Sequence, residues 1–152
     1  MIVISSGLLL LPAGCAASTR VSSADSLNSI SESLDESSSA TATAALVAEL
    51  VAAGRMPAVT ADAALEDAVS AADAATHALT TIVVPDGETL AAQEHALEVA
   101  QEAARAVVTT RAWVGGASPE GSGPVREALE QSRSELQDIT VQVEELLEDG
   151  ES

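Results

Sequence analysis

The chain has no lysine: its six cations are all arginine, set against 24 Asp and Glu, and the formal charge at pH 7 is -18. Phosphate backbones are held by clustered Lys and Arg, so this balance argues against a nucleic-acid partner. It argues equally against docking of the polypeptide on anionic lipid headgroups. Without lysine there is no P-loop lysine and no Schiff-base nucleophile. Phe and Tyr are absent and Trp113 is the sole aromatic residue. Apolar ligand pockets and nucleobase platforms usually have aromatic walls, so both are disfavoured. Cys15 is the only cysteine, so no disulfide forms within the chain and the fold must rest on apolar burial.

What is present begins with an apolar run, Met1 to Leu11, followed by Pro12-Ala13-Gly14-Cys15. A short apolar stretch ending in small residues reads as a secretory signal. It is too short for a standard membrane-spanning helix, which needs about 20 apolar residues. With a lone cysteine directly after Ala13-Gly14, residues 1–15 resemble the signal of a bacterial lipoprotein. Pro12 stands where that class usually has Leu, and residues 1–14 carry none of the class's basic residues. The resemblance implies diacylglycerol on the Cys15 sulfur, cleavage after Gly14, and further acylation of the new amino group. It implies an address on the extracytoplasmic face of the cell membrane, with the bilayer engaged through acylated Cys15. Two or three acyl chains anchor stably, at about 0.8 kcal/mol per buried methylene.

Beyond the signal, residues 15–23 read as a lipidated start and polar tether, and 24–149 as one helical domain. Ser22 and Asp25 have the spacing of a capping-box variant. Leu27, Ile30 and Leu34, then Leu46, Val47, Leu50 and Val51, mark a first long helix with a soft, Ser- and Thr-rich middle, ended by Gly54 and Pro57. The alternative is a disordered Ser-rich spacer to about residue 40. A second helix is expected from an N-cap at Thr60. Its Leu65, Ala68, Ala72, Ala75, Leu79 and Ile82 alternate three and four apart, a heptad seam. Pro85-Asp86-Gly87 breaks it. A third helix runs from Asp86 or Glu88 to Ala112, with a wide face of Leu90, Leu97, Val99, Ala103, Ala104, Val107 and Val108. Gly115 to Gly123 reads as a loop. A fourth helix carries Val125, Leu129, Ser132, Leu136, Ile139, Val143 and Leu146 in the same three-four spacing. Pro124 suits its first turn, Arg126–Glu130 is an i,i+4 ion pair, and Gly150 ends it. Short connections make neighbours antiparallel. The fold class is all-α, an antiparallel helical bundle of three to four helices behind an N-terminal lipoprotein signal.

The sharpest chemical constellation joins Asp73 and His77 on the second helix to His95 and Glu98 on the third. His77 and His95 lie at similar distances from the Pro85-Asp86 turn, so an antiparallel hairpin brings them to one level. Two imidazoles and two carboxylates suit zinc or another divalent metal. Against this, the Glu-x-x-His pairs of di-iron bundles are missing, with Ala74 and Ala92 at the relevant positions. No serine sits in a Gly-x-Ser-x-Gly elbow. The acidic group Glu144, Glu145, Glu148, Asp149 and Glu151 lacks EF-hand spacing and reads as a solvated helix end. Trp113-Val114-Gly115, between two helices, resembles the Trp-x-Gly turn of small helical-hairpin substrates of mycobacterial-type secretion. That family's Tyr-containing export signal is absent, and the plainer reading of Trp113 is a hydrophobic cap on the bundle.

The sequence thus predicts a lipid-anchored, non-enzymatic acidic bundle that needs no cofactor and acts through contacts with another protein, a second copy of itself included. The alternative is a metal-binding or metal-sensing bundle using His77 and His95.

Overall fold

A computed structural model describes residues 21–117 and 121–150. Gly14, Cys15, the tether as far as residue 20, and Glu151 lie outside the described residues. The described chain forms four helices: α1 (Ser23–Ala52), α2 (Ala58–Thr81), α3 (Gly87–Val114) and α4 (Ser122–Gly150). No strand occurs among the described residues, and Ile82, Val83 and Val84 form part of the α2–α3 connection. α1 packs on all three other helices, whereas α2 and α4 do not meet. The short diagonal from α1 to α3 is lined by small side chains. Ser37, Ala40, Thr41, Ala44 and Ala48 of α1 are buried, as are Ala96, Ala100, Ala103 and Ala106 of α3. Small residues at a contact let helix axes approach toward the short end of the usual 8–10 Å range.

Two apolar clusters fix the up-down-up-down course. The first joins Leu27, Ile30 and Leu34 of α1 to Leu79 at the end of α2, Ala92 to Ala103 of α3, and Leu136, Ile139 and Val143 of α4. The second joins Val47 and Ala48 to Leu65 at the start of α2, Val107, and Val125 and Leu129. Each cluster thus takes residues early in one helix and late in the next, as antiparallel neighbours require. The seams expected of α2 and α4 are the buried ones. Ile82 and Leu146 are partly buried against the first cluster.

α1 is a single helix of 30 residues, about 45 Å long at 1.5 Å per residue. A Ser-rich spacer to residue 40 is therefore not what forms. Ser22 caps it: its side chain accepts from the Asp25 amide at 3.1 Å and the Asp25 carboxylate answers in a capping box. Several hydroxyls of α1 turn onto their own helix. Ser33 Oγ donates to the Ser29 carbonyl at 2.9 Å, and Thr41 Oγ1 to the Ser37 carbonyl at 2.8 Å. Between them Ser37 Oγ, 1% exposed, has no partner. An unsatisfied buried hydroxyl costs about 1–3 kcal/mol, and serine is the poorer helix former than alanine. Ser37→Ala is expected to stabilise the domain by about 1 kcal/mol or more, read as a higher urea midpoint at unchanged slope. A fall in the midpoint would show that the hydroxyl is satisfied in solution.

The connections are closed by backbone geometry. Gly54 and Gly116 have φ of 66° and 72°, a conformation that disfavours any Cβ. Arg55 N–H reaches the Leu50 carbonyl at 2.8 Å, and Ala117 N–H reaches the Ala112 carbonyl at 2.9 Å. Both are Schellman closures of a helix end. The first closure delivers the chain to α2 sooner than expected: α2 starts at Ala58 after Pro57, and Thr60, the expected cap, lies inside the helix. α3 is capped by Asp86, which accepts from the Thr89 amide at 2.8 Å, and it extends to Val114 rather than Ala112. Its face agrees with expectation at Val99, Ala103 and Val107, which are buried, and departs from it elsewhere. Thr89, Ala92, Gln93, Ala96 and Ala100 are buried, while Leu90 and Val108 are exposed.

One pole of the bundle is stitched by polar bonds between α1 and the α2–α3 turn. Ser23 Oγ donates to the Asp86 carboxylate at 2.6 Å, and Ser26 Oγ to the Val83 carbonyl at 2.9 Å. Gln93 Nε2 donates to the Leu79 and Ile82 carbonyls at 2.6 and 3.0 Å. These carbonyls lie at the end of α2, where the helix itself supplies no donor. The Ser23 hydroxyl, with the Thr89 amide and hydroxyl, holds the Asp86 carboxyl below the ordinary value of 3.8. Asp86 therefore contributes stability that is full above that value and is lost as pH falls through the lower folded one. Asp86→Asn, which keeps a capping side chain, is expected to flatten the loss of thermal stability between about pH 5 and pH 2. An unchanged acid limb would remove Asp86 from that account.

Candidate functional site

The α2/α3 register puts His77 and His95 near one level, as the hairpin spacing predicts. Gln93 bonded to Leu79 and Arg111 bonded to Asp62 set that register. The two imidazoles nevertheless do not converge. Successive residues on an α-helix turn by about 100°, so positions two apart face nearly opposite ways. Gln93 faces α2, and His95, two residues on, faces the other flank, toward α4. It borders a groove with Glu98, Glu102, Glu135, Asp138 and Gln142. His77 stays exposed on α2, which does not meet α4. Asp73 is exposed beside it. Among the described residues no three His, Cys, Asp or Glu side chains are placed to hold a metal ion. The signal that could have separated the pair was Gln93, an amide long enough to reach the carbonyls that end α2.

This geometry sets an expected result for metal. Purified protein should retain no stoichiometric zinc after dialysis. Calorimetry showing micromolar or tighter binding, lost in both His77→Ala and His95→Ala, would overturn it.

The α3–α4 groove encloses about 390 Å³ over a floor of Val99 and Ile139. Its walls carry Glu98 and Glu102 from α3 and Glu135 and Asp138 from α4. Arg105 pairs with Glu102 at 2.8 Å, and Gln131 donates to Glu135 at 2.9 Å. The groove is open and shallow, unlike the enclosing apolar pockets that bury most of a small ligand.

Charge is unevenly spread along the bundle. Among the described residues every arginine, Arg55, Arg105, Arg111, Arg126 and Arg133, stands beside the second cluster or at the junction between the two. Among the described residues the half built on the first cluster has carboxylates and, short of that junction, no arginine. Arg111 ties α3 to the start of α2, 2.8 Å from Asp62 and 3.2 Å from Glu66. The hydrogen bond from Arg111 holds the Asp62 carboxyl below its ordinary value, and Asp62 in turn raises the guanidinium. Arg126 and Glu130, expected to pair, do not close an ion pair within 4.0 Å.

Trp113 is half-buried against the second cluster with Met56 and Val114, the cap that the plainer reading gave it. The residue that takes the left-handed turn is Gly116, one beyond the Trp-x-Gly unit; Gly115 has φ of -73°. Glu144, Glu145, Glu148 and Asp149 lie exposed on the last turns of α4. No helix among the described residues is long and apolar enough to cross a membrane. Comparison with known proteins finds no matching family model, no matching curated protein and no matching solved structure.

Proposed function

We propose that this chain is a lipid-anchored bundle displayed on the extracytoplasmic face of a bacterial cell membrane, acting through protein contacts and without catalysis. The observation that carries the reading is the apolar run ending in Ala13-Gly14-Cys15, with the only cysteine placed for acylation. The start of α1 supports it. A capped, rigid helix begins at Ser23, only a short tether from Cys15, so the anchor holds a folded body close to the lipid. The surface supports contact rather than chemistry. The exposed hydroxyls of Ser29, Thr43, Thr80, Thr81 and Thr109 bond to carbonyls of their own helices. Such hydroxyls are tied into the scaffold rather than aimed at a base.

Mass analysis of the mature N-terminus tests the anchor. A bacterial host should yield a chain beginning at an acylated Cys15. A chain retaining Met1 and a free thiol would sink the proposal.

A further inference from the structure

No further inference is drawn: the strongest candidate, the groove between α3 and α4 walled by His95, Glu98, Glu102, Glu135 and Asp138, is an acidic cluster for which no second observation indicates what it would bind.

Discussion

Leu136→Asp is expected to abolish the cooperative unfolding transition of the domain. Leu136 is 1% exposed, inside the cluster where α4 meets Leu27, Ile30 and Leu34 of α1. Truncating such a leucine alone costs about 2–5 kcal/mol. Aspartate adds the desolvation of a charge among side chains that are apolar. Domains of this size are stable by only about 5–15 kcal/mol, so the variant should lose most of its native population. The readout is a thermal melt followed by circular dichroism. Glu145→Ala, on the exposed side of the same helix, should stay within about 0.5 kcal/mol of the parent. Equal losses in the two variants would mean that the faces of α4 have been assigned the wrong way round.

Cys15→Ser is expected to move the full-length protein from the membrane fraction to the soluble fraction of a bacterial host. No described helix is long and apolar enough to span a bilayer, and a chain of charge -18 is repelled by anionic headgroups. On the proposed reading the acyl chains on the cysteine supply the whole attachment, at about 0.8 kcal/mol per methylene. Serine removes the thiol that receives the first of them. The processed mass should lose its lipid increment in the same experiment. A Cys15→Ser variant that still sediments with membranes would show that something else holds the protein there. Because the tether precedes the capped start of α1 at Ser22, the melting curve of the folded domain should not change, which separates loss of anchor from loss of fold.

How far the fold could be read from residues differs from helix to helix. In α4, Leu129, Leu136, Ile139 and Val143 stand out against a polar background, and all four are buried. In α2 the seam of Leu65, Ala68, Ala72, Ala75 and Leu79 is legible because its two leucines mark both ends. In α3 alanine occupies every side. Alanine has little apolar surface to prefer one face, so the large residues carried the reading. Two of them, Leu90 and Val108, are on the outside. The true face is set by what the neighbours permit: close approach at Ala96, Ala100 and Ala103, and the reach of Gln93 to the end of α2. The same shift explains the histidines. Their level followed from counting residues about the turn, while their direction depended on the rotation of α3, which its alanines did not reveal.

The position of α1 has a consequence in time. Each core draws on all four helices, and α1, like α3, touches every other. Of the four described helices it is also the first to be synthesised, while α4, which completes both cores, is the last of them. At about 5–20 residues per second, the roughly 100 residues between their starts take some 5–20 s to appear. Throughout that interval Leu27, Ile30 and Leu34 have no finished core to enter. The four-helix bundle therefore closes only after α4 has emerged.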